Sequence, residues 1–321
     1  MARPLIWAGN GIRLKGEVSL FREFVEDSGI PVVTTWTGAD LLPTDHPLNV
    51  GIVGVSGHPG ANKAVHEADV LLLRGSGFHT TQLGAVPPNT ETEDLDFNDW
   101  PDPDLTWIAR CSELKKEKVP LIGSYLFNDK MTRLLPEWSI MVIDGGGTAL
   151  YTGFQSSYIK EGSRLICSAA ISAMGSGLPE AVGACIASGK LTTCLIGDGS
   201  FMLNLQELQT IKHHNLNIKV FVINNGGYLA IKHTQMSFLG KRLHGVGAPD
   251  ISFPDTSMIA EAFELPFFRL HAPYDDIKQV LDCEGPVLCE VMTPTDQKVV
   301  GQGFKMEGGR FVPLPLSEMA L

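Results

Sequence analysis

Residues 191–235 constrain the fold more than any other stretch of this chain. They read LTTCLIGDGSFMLNLQELQTIKHHNLNIKVFVINNGGYLAIKHTQ. An apolar run, 193–196, ends in Gly197-Asp198-Gly199-Ser200. The apolar positions 202, 205, 208 and 211 keep helical spacing and predict a helix over 201–214. A second apolar run, 218–223, ends in Asn224-Asn225-Gly226-Gly227. The order is strand, turn, helix, strand, turn. Parallel neighbouring strands would bring both turns to the carboxyl edge of one sheet, where open α/β sheets bind ligands.

The two turns carry complementary chemistry. Asp198 offers a carboxylate and Asn225 an amide oxygen. Both are hard donors suited to Mg2+, which shares its octahedral shell with substrate phosphates. Gly197 and Gly199 allow a tight turn and a close approach to a ligand. Main-chain N–H groups at the start of the 201–214 helix would face a phosphate. Gly226 and Gly227 expose carbonyls, and Gly227 is a candidate third metal ligand. A Gly-Asp-Gly or an Asn-Asn-Gly-Gly alone usually marks nothing more than a turn or loop. It is their place on consecutive turns that raises the metal reading.

A further strand, 140–143, leads into Asp144-Gly145-Gly146-Gly147-Thr148. Backbone N–H groups of such a turn, with the Thr148 hydroxyl, can cradle phosphate oxygens. Residues 1–84 show a strand, a Gly9-Asn10-Gly11 turn, a helix pattern over 18–25 and strands at 31–35 and 69–74. This predicts a small Rossmann-like domain, although a lone GxG fits a simple strand-to-helix turn equally well. Residues 85–104 are acidic, hold four prolines and have no periodicity, so they read as a linker. A basic helix end follows at Lys115, Lys116 and Lys118, which suits the helix dipole. The expected class is α/β, with two doubly wound parallel sheets: a domain over 1–84, a linker and connecting helix over 85–124, and a second domain over 125–321.

Hydrophobic residues are 44% and charged residues 19% of the 321, which excludes a disordered chain. The net charge of -11 argues against nucleic acid and anionic membranes as partners. The six cysteines include no CxxC pair and lie mostly in apolar runs, so a reducing cytoplasm is expected. Residues 168–189 approach the length of a membrane span. Their Gly, Ala and Ser content, with Pro179 and Glu180, predicts a buried helix of a water-soluble fold instead.

Gly-Asp-Gly followed after 200–223 by Asn-Asn resembles the thiamine-diphosphate motif. Residues 139–321 resemble the diphosphate-binding domain of acetolactate-synthase-like enzymes. Residues 3–84 resemble their middle domain, through RPLIWAGNGIRLKG, IPVVTTWTGADLLPTDHPLNVG and ANKAVHEADVLLLRGS in order. The resemblance implies thiamine diphosphate and Mg2+ as cofactors and a pyruvate-like 2-oxo acid as substrate of a decarboxylase or carboligase. It implies cofactor contacts at Gly146, Gly147, Thr148, Ser172, Met174, Gly197, Asp198, Gly199, Ser200, Asn225, Gly227, Tyr228 and Leu229. Met174, just before Gly175, falls where the family places the apolar wedge that bends the cofactor, and is the catalytic candidate. Its plain alternative is core packing.

This sequence also departs from the family. Gly147-Thr148 stands where Gln-His is common, and His233-Thr234 where Gln-Trp lines the acceptor side. Gly77 and Thr81 replace two arginines, and the strand and helix expected near 85–104 are missing, which argues against FAD. His79 reads as a surface histidine. The tail from Thr293 reads as irregular and in relatives folds over the active site. The family's proton-relay glutamate belongs to a pyrimidine domain not found in these residues. The resemblance therefore implies a homo- or hetero-oligomer with a chain that supplies it. A non-catalytic cofactor-binding or regulatory subunit is the alternative.

Overall fold

The computed structural model describes residues 3–77, 104–168, 171–240, 242–301, 304–307, 310–315 and 318. The expected linker over 85–103, with His79 and Thr81, lies outside them. The chain divides into two compact units, Pro120–Val299 and Met1–Val119 with Val300–Leu321.

The Pro120–Val299 unit is built on a six-stranded sheet. Its strands are β5 (Ile140–Ile143), β6 (Arg164–Ile166), β7 (Thr192–Gly197), β8 (Ile218–Asn224), β9 (Phe267–Leu270) and β10 (Val287–Met292). They lie in the order β6-β5-β7-β8-β10-β9, and every pairing is parallel. The central strands are near-continuous apolar runs because both faces of the sheet are covered. From β5 the chain moves outward to β6 and then returns to the other side as β7. The strand order therefore reverses between β5 and β7, which opens a crevice at their carboxyl ends. Register pairs Ile143 with Leu195 and Gly197 with Ile223, so the turns after β5, β7 and β8 share one edge.

One helix differs from expectation. The helix predicted over 201–214 forms as one turn, Asp198–Phe201, and a separate helix, Glu207–His213. Leu208 and Ile211 are buried in the core, whereas Met202 and Leu205 are only half-buried. Asn204 interrupts the helix: its side chain donates to the Gly175 carbonyl at 2.9 Å and accepts from Gln206. The bond to Gly175, 29 positions earlier, ties this point of the chain to another segment. The buried helix expected within 168–189 forms over Gly177–Ser188 and buries one face. Leu178, Ala181 and Cys185 join the core, while Pro179, Gly183, Ile186 and Ala187 are exposed. Among the described residues, no helix is long and apolar enough to cross a membrane.

The other unit carries β1 (Pro4–Ala8), β2 (Val32–Thr34), β3 (Asn49–Ile52) and β4 (Val70–Arg74), all parallel, in the order β3-β2-β1-β4. Its GxG turn is pressed onto the end of β4. Gly9 donates to the Arg74 carbonyl and Gly11 to the Gly75 carbonyl, both at 2.8 Å. A Cβ on Gly9 would stand 2.5 Å from the Gly75 oxygen. These glycines permit backbone-to-backbone packing, which accounts for them without a nucleotide. Helix Leu105–Leu114 belongs to this unit: Trp107, Cys111 and Leu114 share a core with Leu5, Trp7 and Val33. Lys115, expected on a solvated helix end, is half-buried and donates to the His46 carbonyl at 2.6 Å. The tail, expected to be irregular, contains an antiparallel hairpin of β11 (Phe304–Glu307) and β12 (Arg310–Pro313). Leu314 packs against the same core as Trp107. None of the six cysteines forms a disulfide.

Candidate functional site

The turn after β7 delivers Asp198 into the crevice with 7% of its surface exposed. Its Oδ1 accepts from the Gly199 N–H at 2.7 Å. Its Oδ2 accepts from the N–H groups of Gly227 at 3.0 Å and Asn225 at 3.2 Å. The two turns that the sequence juxtaposed are thus stitched through one carboxylate. Burial pushes the Asp198 carboxyl up to about 6, against the downward pull of those N–H donors. Among the described residues, no cationic side chain forms an ion pair with it.

The two asparagines divide the work. Asn224 is structural: its Oδ1 accepts from the Gly226 N–H, and its Nδ2 donates at 2.7 Å to buried Glu290 on β10. Glu290 also takes bonds from Thr256 and Arg269. Asn225 turns toward the crevice instead. Its Nδ2 reaches the Thr148 hydroxyl over 3.4 Å, and its Oδ1 is buried without a partner. A buried acceptor left unpaired is costly and calls for an explanation.

Gly227 has φ +150, and a Cβ there would lie 2.0 Å from the Val246 oxygen. Its carbonyl accepts from the Leu229 N–H at 3.1 Å. Tyr228 donates its N–H to the Val246 carbonyl, and its ring covers Gly199, whose Cβ would meet that ring at 2.2 Å. Phe253 holds the ring edge-to-face at 5.8 Å. Leu229 is buried and opens helix Leu229–Phe238. His233, one turn into that helix, is half-buried, and its pKa is lowered by burial and by Lys232.

Across the crevice, the turn after β5 leads into helix Gly147–Ser156. Gly147 has φ +55, and a Cβ there would make only an ordinary contact, with Ala230 Cβ at 3.8 Å. Gly197 faces open space. Gly146 is hemmed in: a Cβ would lie 2.3 Å from Ser200 Oγ and 2.9 Å from both Asp144 Oδ2 and Met174 Cγ. Half-buried Met174 therefore rests against this turn. Ser172, two residues earlier, is half-buried and has φ +52, a left-handed conformation uncommon outside glycine.

The candidates so fall into two linked groups, Gly146, Met174 and Ser200 on one side, and Thr148, Asp198, Gly199, Asn225, Gly227 and Tyr228 on the other. Asp144, which sequence reasoning passed over as the start of a glycine turn, is fully buried at the centre of the first group. Its only signal was its place, an acid directly after an apolar strand, as Asp198 is.

Among the described residues, no cluster of three His, Cys, Asp or Glu could hold a metal alone. The crevice offers one uncompensated carboxylate, one unpartnered amide oxygen and backbone. This donor set fits a hard divalent ion whose remaining positions are filled by a ligand's phosphates and by water. Residues 145–291 match the family model described as thiamine pyrophosphate enzyme, C-terminal TPP binding domain. Residues 1–96 match the one described as thiamine pyrophosphate enzyme, central domain. The chain belongs to the thiamine pyrophosphate enzymes, in the acetolactate synthase-like group.

Among curated thiamine pyrophosphate enzymes, it is 30% identical to acetolactate synthase 2, chloroplastic, of Zea mays, over 93% of this chain and 54% of the relative. It is 29% identical to the acetolactate synthase large subunit of Lactococcus lactis, over 93% of this chain and 59% of the relative. With the acetolactate synthase isozyme 2 large subunit of Escherichia coli, the identity is 26% over 90% of this chain and 59% of the relative. The chain thus spans little more than half the length of these relatives. The maize alignment runs over 365 positions, more than the 321 residues here, so the relative carries insertions within the matched region.

Proposed function

We propose that this chain is the diphosphate-anchoring part of a thiamine-diphosphate- and Mg2+-dependent enzyme that decarboxylates a 2-oxo acid or joins its remainder to a carbonyl acceptor. The observation that carries the proposal is the unpartnered, buried Oδ1 of Asn225 beside an Asp198 carboxylate that has no cation. A divalent ion would satisfy both at once. Asp198, Asn225 and the Gly227 carbonyl would hold it, with Gly227 retaining a second lone pair beyond its bond to Leu229. The N–H groups of Gly147 and Thr148, at the positive end of a ten-residue helix, would bind the diphosphate with the Thr148 hydroxyl. Met174, resting on the Gly146 turn, would support the bent cofactor. Bound there, the thiazolium ring supplies the electron sink for decarboxylation.

The complete site would also need a carboxylate beside the cofactor's pyrimidine. We place that group on a pyrimidine domain, supplied by another chain or by another part of a longer polypeptide. The acetolactate synthase names of the relatives point to pyruvate as donor. His233-Thr234 in place of Gln-Trp points to a different acceptor. The test is a thermal melt with Mg2+ and thiamine diphosphate, singly and together. Together they should raise the midpoint of the wild type and leave Asp198→Asn unmoved. No shift in the wild type would overturn the proposal. Pyruvate consumption after adding a pyrimidine-domain chain then separates an enzyme from a purely binding subunit.

A further inference from the structure

We infer that Asp144 is the positioning residue of this site: one buried carboxylate sets the diphosphate turn, the Met174 turn and the Ser200 turn against each other. The inference rests on the cofactor reading above. Asp144 directly follows β5, at the point where the strand order reverses. Its Oδ2 accepts from the Gly146 N–H at 3.0 Å and its Oδ1 from the Gly177 N–H at 2.9 Å. The Ser200 hydroxyl stands beside it: a Cβ on Gly146 would lie 2.3 Å from Ser200 Oγ and 2.9 Å from Asp144 Oδ2. The two N–H donors and the neighbouring hydroxyl come from three separate segments of chain, and none is cationic.

The packing around Asp144 is as tight as its bonding. A Cβ on Gly177 would lie 3.0 Å from Asp144 Cβ, and one on Gly145 would lie 2.5 Å from the Ala173 oxygen. Met174 lies between Ala173, which packs on Gly145, and Gly177, which Asp144 binds, and its side chain rests against Gly146. The carboxylate thus fixes where the ring-supporting side chain stands relative to the diphosphate cradle. An ionised carboxylate is an acceptor at every lone pair, whereas an amide must turn N–H against one of these N–H donors. Asn at this position therefore cannot hold all the turns.

The test compares thiamine diphosphate with inorganic pyrophosphate, each titrated calorimetrically in the presence of Mg2+. Asp144→Asn should weaken thiamine diphosphate binding by about tenfold or more, and pyrophosphate binding by much less, as disturbed supporting shells do. Ser200→Ala, which removes the hydroxyl beside Asp144 and should leave the fold intact, is the milder arm and should give the same ordering with a smaller effect. A merely structural role would weaken both ligands equally. Equal losses, or unchanged affinity for both, would overturn the inference. Amide hydrogen exchange of the ligand-free chain is the second readout. Asp144→Asn should speed exchange at 145–148 and at 171–177 together. If the wild type binds neither ligand, the cofactor reading falls, and exchange alone decides the role of Asp144: unchanged protection at both segments would overturn it.

Discussion

Asn225 donates its backbone N–H to the Asp198 carboxylate at 3.2 Å while its own side-chain oxygen stays buried and unpartnered. The neighbouring asparagine does the opposite, spending its side chain on Gly226 and Glu290. A motif written as two identical letters is thus one brace and one side chain whose acceptor stays open.

That division predicts opposite outcomes for two alanine substitutions. Asn225→Ala removes a 3.4 Å contact and an unpaired acceptor, so ligand-free stability should change by no more than about 0.5 kcal/mol. Its Mg2+-dependent thermal shift should vanish. Asn224→Ala strips a donor from the buried Glu290 carboxylate and should cost about 2 kcal/mol without ligand. Urea melts with and without Mg2+ and thiamine diphosphate check both. The same loss of stability in both variants would remove the distinction.

The Asp198 carboxyl predicts how stability depends on pH before any ligand binds. Its pKa is raised to about 6 in the folded chain, above its unfolded value. The linked stability is therefore fully present below about pH 4 and is lost as pH rises through 6, by on the order of 2–3 kcal/mol. Asp198→Asn removes this dependence. It should make the ligand-free protein more stable near pH 7, even though the amide loses one of three backbone bonds. Saturating Mg2+ and thiamine diphosphate should restore wild-type stability at pH 7 and do nothing for the variant. Denaturant midpoints between pH 4 and 8 would show it; identical profiles for wild type and variant would contradict the assignment.

How much of this could be read in advance follows from what each residue depends on. Asp198 and Asn225 end apolar runs that are parallel neighbours, so their juxtaposition follows from strand periodicity and connection rules alone. The break at 202–206 was illegible because it depends on Asn204 reaching Gly175, a residue 29 positions earlier. The role of Asp144 was hidden for the same reason: its neighbours Gly177 and Ser200 are distant in sequence and meet it only once β5 and β7 lie side by side. The grouping of Trp107 with the Pro4 strand, through a 2.8 Å indole bond, likewise spans 103 positions. Local pattern revealed the elements and their edge. Long-range hydrogen bonds decided which residues of each turn do what.

Gly227 predicts a purely steric failure. Its φ of +150 is rare for L-residues, and a Cβ would stand 2.0 Å from the Val246 oxygen, a backbone atom that cannot step aside. Tyr228 donates to that same carbonyl, so moving it would also disturb the ring over Gly199. Gly227→Ala should lose about 3 kcal/mol of stability and the Mg2+ response together. Val246→Ala leaves the backbone clash in place, so the double variant should be no better. Recovery in the double variant would show that the side chain, not the carbonyl, sets the limit.

Two adjacent glycines, Gly146 and Gly147, separate obstruction from ligand contact. Gly146 has φ -99, which alanine adopts freely, yet its methyl would press on Ser200, Asp144 and Met174. Gly146→Ala should therefore destabilise the ligand-free protein, by about 2 kcal/mol, as overpacking does. Gly147 presents the reverse case. Its φ of +55 costs an L-residue about 1 kcal/mol, but its methyl would meet no clash, only an ordinary contact with Ala230 at 3.8 Å. If the diphosphate binds there, Gly147→Ala should fold with only this small penalty and still bind Mg2+ with thiamine diphosphate at least about tenfold more weakly, a loss of some 1.4 kcal/mol. Calorimetry beside thermal melts reads the two quantities separately. Wild-type affinity in a folded Gly147→Ala chain would move the phosphate away from the turn after β5 and leave the metal turns to anchor it alone.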